Sequence, residues 1–169
     1  MVVVNSTPLL YLAKIGKLRK IIEHFGLMVI PETVYDETVR RGMALGKPEA
    51  QVINELIKDG RIKVEKVKKI LGEIKGLHRG EVEALSLAKG RRDEIIIDDK
   101  SAYEYAKILR IKALRSIRVM LTLMKDKELT FDDLKKNLQL LSQSGFWLTA
   151  DVYARILEEA RAISSTTRD

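Results

Sequence analysis

Glu94-Ile95-Ile96-Ile97-Asp98-Asp99-Lys100-Ser101 runs three consecutive isoleucines directly into two carboxylates. An unbroken β-branched run suits a strand covered on both faces, as in parallel sheets with helices packed on each side. Sheets of that kind carry their chemistry at the carboxyl ends of the strands. Ser101 and Glu104 have the spacing of a capping box, which predicts a helix starting where the acids stand. Two readings stay open for Asp98 and Asp99. They form an acidic site, or they are a solvated loop residue followed by an acid that favours the first helical turn through the helix dipole.

Toward the N-terminus, Val2-Val3-Val4 is a second apolar run ending in a polar cluster, Asn5-Ser6-Thr7-Pro8. Thr7 is expected as the cap of the next helix and Pro8 as its first residue. That helix turns Leu9, Leu10, Leu12 and Ala13 inward and stops at Gly16; another, from Lys17 to Phe25, ends at Gly26. Leu27 to Ile30 reads as a strand, and Pro31 opens a helix through Arg41 on which Val34, Glu37, Thr38 and Arg41 share one side. Glu49 to Lys58 is helical, Ile62 to Val67 reads as a half-buried edge strand, and a short helix is expected to reach Gly76.

Val82, Leu85 and Ala88 then make the buried stripe of a helix whose first turn holds Glu81 and Glu83. Beyond the isoleucine run come a helix from Ser101 to Leu109 and a short strand at Lys112-Ala113-Leu114. Helices over 116–125, 131–142 and 150–163 complete the chain, the last capped by Thr149. Strands alternating with helices imply an α/β fold, a parallel sheet flanked by helices with extra helices at the C-terminus. The expected division is an α/β domain over 1–125, a helical extension of it over 126–163 and a disordered tail over 164–169.

Composition narrows the chemistry. At 169 residues the chain has the size of one ordinary domain. The absence of cysteine excludes disulfides, thiolate metal sites and a cysteine nucleophile, and two histidines far apart give no zinc signature. Any metal is then a hard ion held by oxygen. Lys and Arg number 31 against 24 acids, a formal +7 that favours polyanion partners, while aromatic residues at 5% do not suggest a base-stacking platform. No run approaches the roughly 18 apolar residues of a membrane span, and the first residues lack a cationic segment leading into an apolar one, so a cytoplasmic protein is expected. High Lys, Glu and Ile without Cys also fits a thermophile.

Four polar spots stand at strand ends or helix starts: Asn5, Glu37, Glu81 with Glu83, and Asp98 with Asp99. Brought together, such carboxylates repel and raise one another's pKa, a cost that a cation removes. Magnesium or manganese, which binds a few carboxylates and keeps several waters, is the natural occupant. It makes hydroxide from water and neutralises a phosphodiester in its transition state, which points to a nuclease.

These residues resemble the PIN domain, the fold of the VapC-type toxin ribonucleases and their relatives, over about residues 2 to 125. The marks are Asn5-Ser6-Thr7-Pro8-Leu9 after the first strand, Ile30-Pro31-Glu32-Thr33-Val34-Tyr35-Asp36-Glu37, Gly80-Glu81-Val82-Glu83-Ala84, and Ile97-Asp98-Asp99. Gly145-Phe146-Trp147-Leu148-Thr149 and the helix after it resemble the C-terminal extension of a prokaryotic subgroup. The resemblance implies an Mg²⁺- or Mn²⁺-dependent endoribonuclease, acting on RNA that is single-stranded. It also implies the toxin role of a toxin–antitoxin pair, with an antitoxin protein as partner, and assembly as a homodimer. It makes Glu37, Glu81 or Glu83, and Asp99 the metal ligands, with Asp98 their neighbour. The family's first acid is an aspartate where this chain has Asn5, which keeps an oxygen ligand and removes one charge.

Thr7 is expected to orient a water or accept a phosphate. His78, Arg79, Lys100, Arg115 and Arg118, with Arg110 and Lys112, are expected to contact backbone phosphates. The alternative is a nucleic-acid-binding module that keeps the fold without the chemistry. A receiver-like domain phosphorylated on Asp98 or Asp99 shares the acidic strand ends and leaves Glu37, Glu81 and Glu83 unexplained.

Overall fold

The computed structural model describes residues 1–166 and divides into two compact units, Met1–Arg115 and the chain from Ser116 onward. The first unit holds a five-stranded, all-parallel sheet: β1 (Val2–Val4), β2 (Met28–Pro31), β3 (Ile62–Glu65), β4 (Glu94–Ile96) and β5 (Ala113–Leu114), in the order β3-β2-β1-β4-β5. From β1 the chain builds outward through β2 to β3, then returns to the other side of β1 to lay down β4 and β5. The reversal of strand order therefore lies between β1 and β4, and the crevice at the carboxyl ends of two such strands is where open α/β sheets bind ligands.

Both central strands are fully covered. Val3, Ile95 and Ile97 lie in one cluster with Ala84, Leu85 and Ala88 of α6 (Arg79–Arg91) and with Ala102 and Ala106 of α7 (Lys100–Ile108). Val4, Ile30 and Ile96 are equally buried, and period-two alternation turns Val4 and Ile96 to the opposite face. Truncating Ile96 to alanine removes fully buried volume at the central pair, a change that costs about 2–5 kcal/mol. Register places Val4 beside Ile96, and the Asn5 N–H extends the ladder to the Ile96 carbonyl at 3.1 Å.

Several elements differ from expectation, each for a local reason. Helix α1 (Ser6–Lys14) begins two residues before Pro8, with Asn5 rather than Thr7 at the cap position. Pro8 is still tolerated in that first turn, where N–H groups have no intrahelical partner. Pro31 ends β2 instead of opening the next helix. The helix after it is interrupted: regular α-turns at Glu32–Tyr35 and Arg41–Ala44 flank a π-helical segment, Asp36–Arg40. No helix forms between β3 and α6, where residues 66–78 run without regular structure. Asp99, not Ser101, caps α7, its Oδ1 accepting from Ala102 N–H at 2.8 Å. Aspartate is among the preferred caps, and a start at Asp99 leaves Ser101 inside the first turn.

The second unit holds helices over Ser116–Lys125, Phe131–Gln143 and Ala150–Thr166. Thr130 caps the middle one in a reciprocal capping box with Asp133, and Thr149 caps the last through Val152 N–H at 3.2 Å. The unit begins at Ser116. The last helix continues through Thr166, and the remainder of the expected tail, residues 167–169, lies outside the described residues.

Candidate functional site

Asn5 leaves the end of β1 and is 4% exposed. Its backbone is consumed by the strand ladder and by the first turn of α1, where its carbonyl accepts from Leu9 N–H at 3.1 Å. Its side chain makes no cap bond, and the buried Oδ1 has no hydrogen-bond partner. An unpaired buried amide oxygen costs about 1–3 kcal/mol, so a partner for it has something to gain.

Glu37 sits in the π-helical segment, a kind of bulge often found at functional sites. Thr38, next to it, is fully buried and its Oγ1 donates to the Val34 carbonyl at 2.7 Å. The Glu37 carboxylate is held from two sides. Ser6 Oγ donates to its Oε2, tying it to the turn after β1. Gly80 makes room for it on the other side: a Cβ at Gly80 would stand 3.1 Å from Oε1 and 3.2 Å from Oε2. Glu37 thus rests against the first turn of α6.

Glu81 occupies the third position of that turn and reaches back to the His78 N–H at 2.8 Å, the reciprocal half of a capping box. Its carboxyl pKa is raised, first by burial and then by the negative charges of Asp99 and Glu37, against the opposing bond from His78. Asp99 is exposed and uses Oδ1 in its cap, and Asp98, partly buried, precedes it after β4. Asn5, Glu37, Glu81 and Asp99 therefore come from four segments to the carboxyl ends of β1 and β4.

Glu83 behaves differently. It is buried, its Oε1 accepts from Arg79 Nε at 2.8 Å, and its Oε2 accepts from Thr33 Oγ1 on the helix after β2. Burial works to raise its pKa, but the bonds from Thr33 and Arg79 outweigh that and hold it below the ordinary carboxylate value. Among the described residues no group of three or more His, Asp or Glu side chains is drawn together closely enough to hold a metal by itself.

Of the residues expected to meet nucleic acid, Thr7, His78, Arg79 and Lys100 are exposed in the first turns or caps of α1, α6 and α7. Arg115 is exposed too, its guanidinium 4.7 Å from the Tyr103 ring. Arg118 lies in the second unit and pairs with Glu159 there. Lys112 pairs with Glu94 at 2.5 Å and lines a cleft with Arg110. Glu94 begins β4, so both lie at the amino ends of the strands, away from the acids. Helix α7 carries the chain back to that edge, which a linear reading of the basic run overlooks.

A cleft of about 430 Å³ opens beside Glu37, between the helix after β2, the irregular segment 66–78 and the first turns of α6. Arg41, Lys66 and Arg79 line it with Glu32, Asp36 and Glu83. From the sequence Arg41 reads only as sharing a helix side with Glu37, and Lys66 falls in a segment that reads as an edge strand. No helix among the described residues is long and apolar enough to cross a membrane.

A family model described as a PIN domain matches residues 1–162. Among solved structures, the chain is similar to a PilT N-terminus domain protein from the archaeon Sulfolobus solfataricus P2, at 21% identity and a TM-score of 0.52, covering 72% of this chain and 92% of that one. A domain of a protein from Methanocaldococcus jannaschii DSM 2661 is also similar, at 21% identity and a TM-score of 0.46, covering 68% and 89%. At that identity the first likeness is one of fold. Comparison with curated proteins gives no match.

Proposed function

We propose that this chain, which belongs to the PIN-domain family, is a magnesium- or manganese-dependent endoribonuclease. PIN domains are a nuclease fold family, generally hydrolytic and generally dependent on divalent metal ions. In this reading Glu37, Glu81 and Asp99 hold the ion with the Asn5 amide oxygen, and Asp98 stands beside them. The observation that carries it is the Asn5 Oδ1, buried without a partner at the strand ends where burial, joined by the charges of Asp99 and Glu37, pushes up the Glu81 pKa. A hard cation bridged partly through water relieves both costs at once, and magnesium keeps several waters in sites of this kind.

When bound, the ion supplies a water of lowered pKa and neutralises charge on the phosphate. The chain's own groups set the stage. Ser6 O–H, His78 N–H and Ala102 N–H each fix one oxygen of Glu37, Glu81 and Asp99, so the acids are oriented before substrate arrives. The exposed cations Arg79 and Lys100 at the helix starts, with His78 as a hydrogen-bonding neighbour, steer the phosphate backbone toward them. The substrate is single-stranded RNA. The setting is cytoplasmic, and by family resemblance the assembly is a homodimer and the role the toxin of a toxin–antitoxin pair restrained by an antitoxin protein.

Asn5 favours one other reading, a module that binds RNA without cutting it, since the amide removes one charge from the ligand set. Manganese titrated against wild type with an end-labelled RNA separates the two. Cleavage that rises with manganese and disappears in Glu37→Gln supports the nuclease; RNA binding with no cleavage at any manganese concentration supports the module.

A further inference from the structure

The ion pair of Arg79 with Glu83 has no part in the metal chemistry just described, and both partners line the cleft beside Glu37. The Glu83 side chain is 7% exposed and that of Arg79 is 82% exposed. Each oxygen of Glu83 is occupied, one by Arg79 Nε and one by the Thr33 hydroxyl. Both oxygens are thus oriented by donors of the chain itself, and a cation brought to either would meet the positive charge of Arg79 beside it. Arg79 uses only Nε in the pair, so its two terminal nitrogens, with four N–H groups in a planar fork, face solvent at the mouth of the cleft. A long side chain at a surface normally spends entropy to make a contact; one already fixed by a buried carboxylate spends less.

We propose that Glu83 is a positioning residue rather than a metal ligand, and that with Thr33 it fixes Arg79 as a clamp on an RNA phosphate lying in the cleft next to the scissile position. The inference rests on the ribonuclease reading above. Lys66 and Arg41 line the same cleft, and of the further acids on its walls, Glu32 and Asp36, the second is paired with Arg40 at 3.0 Å. Glu37 lines this cleft and also belongs to the acidic group at the strand ends. A strand seated in the cleft therefore leads directly to the proposed metal site.

A double-mutant cycle tests this, read by equilibrium binding of a short labelled single-stranded RNA in chelator and, separately, by manganese binding in calorimetry. Arg79→Ala is expected to weaken RNA binding and to make the slope of log affinity against log salt shallower by about 0.7. Glu83→Gln, which keeps the shape and loses the charge, is expected to weaken binding about two- to twelvefold, the range for freeing one long side chain. In the Arg79→Ala background it should have no further effect. Its manganese affinity should equal that of wild type. Thr33→Val, milder for the fold, should follow the same pattern should Glu83→Gln fail to fold. Equal weakening in both backgrounds, no weakening in either, or a loss of manganese affinity overturns the positioning role. Failure of wild type itself to bind the RNA contradicts the ribonuclease reading, and the clamp with it.

Discussion

Gly80 and Glu37 lie closer than a Cβ at position 80 would ordinarily allow: such an atom would meet both carboxylate oxygens of Glu37 within 3.2 Å. The obstructing atoms are the far end of a flexible side chain, so the acid is what would give way. Gly80→Ala is thus expected to leave folding almost untouched, within about 1 kcal/mol and offset by the better helix propensity of alanine. It should push Glu37 off the first turn of α6 and lower manganese affinity, as read by calorimetry next to a thermal melt. Normal manganese binding in a stable Gly80→Ala protein would argue that Glu37 is no ligand.

Glu81 supplies a pH signature. Its folded pKa lies above the ordinary 4.5 because of burial and the charges of Asp99 and Glu37. The folded state therefore binds its proton more tightly than the unfolded state does, and the metal-free protein loses stability as pH rises from 4.5 through the folded pKa. Glu81→Gln should be more stable than wild type at neutral pH without metal, and this gain should vanish below about pH 4.5. Chemical denaturation at several pH values in chelator reads it directly. A variant less stable than wild type at neutral pH would make the capping bond to His78 the dominant role of Glu81.

Asp99→Asn separates cap from ligand. Asparagine caps helices as well as aspartate does, so α7 should start where it does now and the melting temperature without metal should stay level or rise. Manganese binding should be lost or reduced by at least about tenfold, since a charge leaves the ligand set. An early-melting variant that binds manganese normally would show Asp99 to be structural alone.

Much of this arrangement was legible in the sequence, and the reasons differ by residue. The isoleucine run and Val2-Val3-Val4 announce buried strands because burial on both faces leaves a continuous apolar signature. The polar residues that follow them, Asn5 and the pair Asp98-Asp99, are then expected at the carboxyl ends of the sheet by the fold rule alone. The π-helical segment under Glu37 was not legible. Its residues keep helical spacing, and the extra residue per turn is set by packing that spans distant parts of the chain. Nor was the partnership of Glu83 with Thr33, fifty residues earlier, which separates Glu83 from Glu81 although both lie in one helical turn. Lys112 illustrates the opposite error: close to the acids in sequence, it sits at the far end of the strands because a parallel sheet returns each helix to its amino edge.

The account stands or falls on Asn5. Asn5→Asp is nearly isosteric, and a carboxylate at the buried strand end adds a charge to the proposed ligand set. A manganese titration of wild type and Asn5→Asp side by side, read by calorimetry and by cleavage of the same labelled RNA, is the most direct test. The expected result is manganese affinity higher in the variant by an order of magnitude or so, with wild type reaching the same cleavage rate only at higher metal concentration. Identical manganese affinity and identical cleavage in the two proteins would show that Asn5 does not face the ion, and would contradict the site drawn at the ends of β1 and β4.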